Sequence, residues 1–173
     1  INQTLTLPST YQGNFQDVIW EGTRDTWVAV GAAGSIFTAV GLTTDSAFSQ
    51  FSGTIQQLNS VCYGQAEFIA VGNGGVIIAS NDGTGWADKV SNTQNDLNDV
   101  IYDGNKFIVV GDSGTIGIST DKNFWQPWSQ QLPAGTVHPA TFDFKTIKYI
   151  DNIYIGISLS LIHISEPTRL SWI

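Results

Sequence analysis

The sequence predicts an all-β chain built from one repeated unit of about 40 residues, a period that points to a repeat architecture, and three observations carry that expectation. A phrase recurs. It reads Leu58-Asn-Ser-Val-Cys-Tyr63 followed by Phe68-Ile-Ala-Val-Gly72 in one copy, and Leu97-Asn-Asp-Val-Ile-Tyr102 followed by Phe107-Ile-Val-Val-Gly111 in the next. An earlier copy starts at Phe15 and a fourth at Phe144. The anchors keep register: Val18, Val61, Val100 and Ile147 lie 43, 39 and 47 residues apart, and Gly31, Gly72 and Gly111 lie 41 and 39 apart. No segment sustains the 3.6-residue apolar period of a helix.

Each unit reads as four short strands, A to D. Residues 58–63 and 97–102 are rich in β-branched and aromatic types and end at turn signals. Asp103-Gly104 predicts a two-residue hairpin, because glycine tolerates the positive φ of such a turn. Residues 68–71 and 107–110 are continuous apolar runs, the mark of strands buried on both faces. Gly-Asn-Gly-Gly, Gly-Asp-Ser-Gly and Gly-Ala-Ala-Gly end those runs as tight turns. A third strand follows over 76–79 and 115–118, and a fourth begins near Trp86 and Trp125.

Four antiparallel strands in each such unit make the blade of a β-propeller. The expected fold is an incomplete β-propeller of about three and a half blades. The rival is a β-solenoid, whose coils are shorter and need no pair of hairpins per unit. With strand A at the axis, the A–B and C–D turns share one end of the wheel, and the B–C turns and D–A linkers share the other. Variable linkers on a constant scaffold are where recognition sits. Asn73, Asp112 and Ser113 in the B–C turns, with Trp128 and His138 in a linker, are therefore the candidate binding residues.

Composition narrows the function. Lys plus Arg is 7 and Asp plus Glu is 15, a net charge of −8, which repels phosphate and disfavours nucleic acid. No apolar run reaches the ~18 residues of a membrane span. Cys62 is the only cysteine, so no internal disulfide can form, and its place in a strand predicts a packing role. Asn2-Gln3-Thr4 fits a glycosylation sequon. No His/Cys cluster has metal-ligand spacing, no phosphate loop is present, and no cofactor is expected. His138 is the only histidine outside the last 15 residues, and it stands between Val137 and Pro139 in a linker. Arg24 is the only arginine there, so no arginine cluster awaits a carboxylate.

Ser80-Asn-Asp82-Gly-Thr-Gly-Trp86 and Ser119-Thr-Asp121-Lys-Asn-Phe-Trp125 share Ser-x-Asp-x-x-x-Trp. The aspartate can accept turn amides while the tryptophan packs. This pattern resembles the Asp-box of sialidases, one residue shorter, and the resemblance implies a structural turn. The whole unit, over residues 15 to 158, resembles the propeller repeats of photosystem II assembly and stability factors, with related repeats in secreted bacterial and phage virion proteins. Low charge, abundant Ser, Thr, Asn and Gln and variable linkers point to a non-enzymatic module that binds protein or glycan, in an extracellular or virion setting. The alternative is a piece of a sialidase-like or other propeller glycoside hydrolase whose carboxylates stand in other blades.

The segment Leu159-Ser-Leu-Ile-His-Ile-Ser-Glu-Pro-Thr-Arg169 fits no part of the repeat and resembles a translated sequencing adapter. The expected organisation is a partial blade or linker over 1–14, a partial propeller over 15–158 and a non-native tail over 159–173, in a fragment of metagenomic type cut at both ends. No function is assigned to His163, Glu166 or Arg169. An open wheel leaves terminal faces and strand edges uncovered, so the chain alone is expected to aggregate or fold marginally.

Overall fold

A computed structural model describes residues 14–41, 47–123, 125–127, 142–158 and 162–165. Its regular structure is antiparallel β-sheet. The first sheet holds β1 (Phe15–Glu21), β2 (Thr26–Gly31), β3 (Ile36–Val40) and β4 (Ala47–Gln50) in sequence order. The second holds β5 (Leu58–Gly64), β6 (Glu67–Gly72), β7 (Ile77–Ser80) and β8 (Ala87–Lys89). The third holds β9 (Leu97–Tyr102), β10 (Phe107–Gly111), β11 (Ile116–Ser119) and β12 (Gln126–Pro127). The fourth holds β13 (Phe144–Ile150), β14 (Ile153–Ser158) and β15 (Ile162–Ser165). Strands β1, β5, β9 and β13 neighbour one another around the axis, each opening its blade. This is a partial β-propeller.

β15 falls in the segment that the repeat pattern sets apart. It pairs with β14 from Ile157↔Ile162 to Tyr154↔Ser165 and takes the third place in the fourth blade. Its Ile-His-Ile-Ser run has the β-branched alternation that a strand position accepts.

The apolar runs of the B strands are explained by the joints between blades. In β6, Phe68 and Ala70 point back into a cluster with Val28, Val30 and Ile36 of the first blade. Ile69 and Val71 point forward into a cluster with Leu97, Val100, Phe107 and Val109 of the third. In β10, Phe107 and Val109 point back, while Ile108 and Val110 point forward to Phe144, Ile147 and Tyr154. Successive residues of a strand face opposite sides, so a strand between two neighbours must be apolar at every position. Each fully buried side chain of this size stabilises by about 1.5–3 kcal/mol.

The recurring glycines mark a close approach of two backbones. A Cβ on Gly31, Gly72 or Gly111 would lie 2.1 Å from the carbonyl oxygen of Asn14, Gln57 or Asp96. The amides that follow, of Ala32, Asn73 and Asp112, donate to those same carbonyls at 2.9 Å. The B–C turn is thus stitched to the chain entering its own blade.

One local expectation is corrected. The Asp103-Gly104 turn is not a two-residue loop: Tyr102 pairs with Phe107, which leaves residues 103–106 between strands. The Asp103 carboxylate accepts the amides of Asn105 and Lys106, both at 2.8 Å, and this side-chain capping favours the wider loop. Two-residue loops occur instead at Gln65-Ala66 and Asp151-Asn152, with all four residues at positive φ. The tight Gly turns at Ala32–Gly34 and Asn73–Gly75 each form a single 3-10 turn.

Candidate binding face at the end with the B–C turns

The B–C turns and D–A linkers meet at one end of the wheel, as the strand order requires. Asn73 and Asp112 hold equivalent places there, and each is bound to the innermost strand. Asn59 Nδ2 donates to Asn73 Oδ1 at 2.8 Å and to the Leu97 carbonyl of the next blade at 2.8 Å. Asn98 Nδ2 donates to Asp112 Oδ1 at 2.6 Å and to the Phe144 carbonyl at 2.7 Å. Lys145 Nζ adds an ion pair to Asp112 at 2.8 Å. Burial alone would raise the Asp112 carboxyl, but the bonds from Lys145 and Asn98 outweigh it and hold the group below its ordinary range. Asn59 and Asn98 thus couple one blade to the next, Asp112 does so directly through Lys145, and Asn73 holds Asn59 in place.

Asn59 and Asn98 were not singled out by sequence reasoning. They reach so far because a bulge interrupts the register at the start of every inner strand, between Phe15 and Asp17, Leu58 and Ser60, Leu97 and Asp99, and Phe144 and Thr146. A bulge re-aims the extra side chain. The available signal was an asparagine at the same place in two copies of an otherwise apolar phrase.

Just inside the bulge runs a second series, in which Asp99 is buried at 8% exposure rather than being the solvated strand-end residue that its sequence neighbourhood suggests. Asp17, Ser60, Asp99 and Thr146 are equivalent positions of the four inner strands. Asp17 Oδ2 accepts Ser60 Oγ and the Val61 amide, both at 2.9 Å. Asp99 Oδ2 accepts Thr146 Oγ1 at 2.6 Å and the Ile147 amide at 2.9 Å. Asp99 Oδ1 faces Ser60 Oγ at 2.8 Å and accepts its own Val100 amide at 2.9 Å. Carboxylate and hydroxyl alternate from blade to blade.

Ser113 stands at positive φ in the third B–C turn, and its amide donates to Asp143 Oδ1 at 3.0 Å. Gly74 uses Asp96 Oδ1 in the same way at 2.8 Å. Trp128 and His138 lie outside the described residues.

Between the second and third blades this face opens into a cleft of about 270 Å³. Ile77, Leu97, Val109 and Ile116 give it apolar walls, and Ser91, Asn92, Thr93, Ser113 and Thr115 give it polar ones. The linker that borders it is held rigidly. Ser91 Oγ donates to the Thr93 carbonyl at 3.1 Å, Asn92 Nδ2 to the Trp125 carbonyl at 3.0 Å, and Asn95 Nδ2 to Thr115 Oγ1 at 2.9 Å. A second hollow of about 330 Å³ on the other side of the same linker is lined by Thr54, Gly74, Asp88, Lys89 and Gln94, among others.

The opposite end carries the Ser-x-Asp-x-x-x-Trp turns. Ser80 Oγ accepts the Gly83 amide at 2.9 Å, and Asp82 Oδ1 accepts the Thr84 amide and hydroxyl at 2.8 Å each. Trp86 Nε1 donates to the Gly83 carbonyl at 3.1 Å. In the next blade Ser119 Oγ donates to Asp121 Oδ1 at 3.3 Å, Asp121 accepts the Asn123 amide at 3.1 Å, and Trp125 is buried in the joint against Phe107. All six motif residues serve turn closure or packing. Among the described residues, no group of three or more His, Cys, Asp or Glu is placed to hold a metal, and no helix is long and apolar enough to cross a membrane.

The fold and this face define a β-propeller sector, and solved structures agree. The chain matches the structure of YCF48 bound to D1 peptide at 16% identity and a TM-score of 0.72, covering 94% of this chain and 53% of that one. It matches the computationally designed Ika4 protein at 15% identity and a TM-score of 0.70, over 96% and 99% of the two chains. It matches the Cps50 (Swd1) β-propeller domain of Myceliophteria thermophila at 10% identity and a TM-score of 0.65, over 94% and 54%. The chain therefore spans about half the length of YCF48 and of the Cps50 domain. No protein-family profile matches the chain, and no curated protein does.

Proposed function

We propose that this chain is a binding module without chemistry of its own, and that its ligand is an extended segment of a partner protein. The cleft between the second and third blades carries this reading. Its apolar walls suit one or two short aliphatic side chains, and its Ser, Asn and Thr groups can bond a peptide backbone, the usual division of labour in a recognition site. The linker bonds preorganise it, which lowers the entropy lost on binding. A net charge of −8 favours basic segments by steering. YCF48, a structural neighbour, is seen bound to a peptide, and that supports the same class of ligand here. Low charge and a surface rich in Ser, Thr, Asn and Gln suit a secreted or virion protein.

The test is a peptide array and a glycan array probed with the intact chain, followed by Ile116→Lys and Ile116→Val. A basic, aliphatic-containing peptide should bind, Ile116→Lys should weaken it by at least about tenfold as for a lost anchor, and Ile116→Val should not. Glycan hits without peptide hits, an empty pair of arrays, or equal binding by both variants would overturn the reading.

A further inference from the structure

The three joints inside the chain share one design, and the two end faces carry its two halves. In each joint the later blade offers an aromatic pair from its A and B strands: Tyr63 with Phe68, Tyr102 with Phe107, Tyr149 with Tyr154, at ring-centroid distances of 4.7–4.8 Å. The first blade has the same pair, Trp20 and Trp27 at 6.1 Å, with Val18 beside them in the place of Val61, Val100 and Ile147. Nothing among the described residues covers this face: Val18 is 58% and Trp20 52% exposed. The earlier blade of each joint offers β-branched residues, Val28 and Val30, Ile69 and Val71, or Ile108 and Val110. The fourth blade has Ile155 and Ile157 at that register, with Ile150 below them, and Ile157 is 39% and Ile150 54% exposed.

We propose that two copies of this chain associate head to tail, the first blade of each against the fourth blade of the other, to close one ring with four sheets from each copy.

Two features of the end faces name a second copy as the occupant. The alternation Asp17, Ser60, Asp99, Thr146 ends on a hydroxyl and begins on a carboxylate. The joint between the second and third blades is a hydroxyl facing a carboxylate, with Ser60 Oγ at 2.8 Å from an Asp99 oxygen that also accepts its own Val100 amide. Asp17 Oδ1 already accepts its own Val18 amide at 2.8 Å, so Thr146 of a second copy would complete the same arrangement. Lys148 is the second. It replaces Ile19, Cys62 and Ile101, which in the internal joints share clusters with Tyr63, Tyr102 and Tyr149. Across the new joint it would meet Trp20, the best ring for a cation, whose indole N–H is already bonded to Asp25 Oδ1 at 2.9 Å.

The experiment is light scattering after size exclusion on the 173-residue chain, with Val18→Asp and Ile157→Asp as blocks of the head and of the tail. Wild type should run at twice the 18.7 kDa of one chain. Each variant alone should run as a monomer, because both joints of a pair are then blocked. An equimolar mixture of the two should associate again, because the tail of Val18→Asp and the head of Ile157→Asp remain intact and form one joint. Circular dichroism of each variant confirms that it is folded, and both sites are exposed. A folded monomeric wild type, an open series of larger species, or a mixture that stays monomeric would overturn the proposal and leave these faces to another protein.

Discussion

Asp99 is the buried acceptor on which two joints converge. It is 8% exposed and takes the amides of Val100 and Ile147 and the hydroxyl of Thr146, with Ser60 Oγ 2.8 Å away. Asp99→Ala leaves those two amides inside the joints with no acceptor. An orphaned buried donor costs about 1–3 kcal/mol, so two amount to about 4 kcal/mol. The hydroxyls can rotate to other acceptors and add little. Asp99→Asn keeps one acceptor oxygen and turns an NH2 toward the donors on the other side, for a loss of about 2 kcal/mol. With a urea slope of about 2 kcal/mol per molar, the midpoint should fall by about 2 M for alanine and about 1 M for asparagine. Tryptophan fluorescence through an equilibrium urea titration reads this directly. Asp88→Asn, an exposed carboxylate on β8, is the control. If alanine at 99 leaves the chain unfolded, the asparagine variant still gives the number. Coupling is tested with Thr146→Val: the double variant with Asp99→Asn should lose less than the sum of the singles, since both remove one bond. A midpoint for Asp99→Asn equal to that of Asp88→Asn would refute the claim that this carboxylate couples the blades.

Two further outcomes are expected. Cys62 is buried between the second and third blades, and burial first, then the charges of Asp99 and Asp17, pushes its thiol well above the usual 9.0. It should react with a disulfide reagent at pH 8 at least about 100-fold more slowly in the native chain than in urea, because the thiolate is the nucleophile; equal rates would place it at the surface. Asp82 is held below the ordinary 3.8 chiefly by the Thr84 amide and hydroxyl. A depressed carboxyl stabilises above its unfolded pKa, and that contribution is lost as pH falls through the native value. Asp82→Asn should therefore cost about 1 kcal/mol at neutral pH, a figure already reduced for its exposure, and nothing once both forms are protonated. Paired melts at pH 7 and pH 2 measure it, and a gap that persists at low pH would show that packing, not charge, holds the turn.

The limits of the sequence are clearest on the inner strands. The phrase Leu-Asn-x-Val shows Val61 and Val100 as apolar anchors, and the apolar B strands follow from burial on two faces. The glycine at the end of each B strand follows from a carbonyl 2.1 Å from where a Cβ would be. All of these leave a local mark, an apolar anchor, a continuous apolar run or a glycine at a fixed place, which a 40-residue period exposes. The Asp-bearing turns were legible for the same reason, since Asp82 bonds residues two and three positions away. The loop at 103–106 was misread because the Asp103 carboxylate, not its φ, decides that turn.

By itself, the chain of residues determined the repeat, the strand order within a blade, the two-sided burial of the B strands and the end at which the B–C turns and D–A linkers gather. Tertiary structure alone decided that Asn59 and Asn98 reach the next blade, that Asp17, Ser60, Asp99 and Thr146 form one series, and that a cleft opens beside Ile116. Those partners are 38 to 48 residues apart along the chain. Their meeting depends on how far each sheet is rotated about a common axis, and that rotation is fixed by the packing of whole faces rather than by any local pattern.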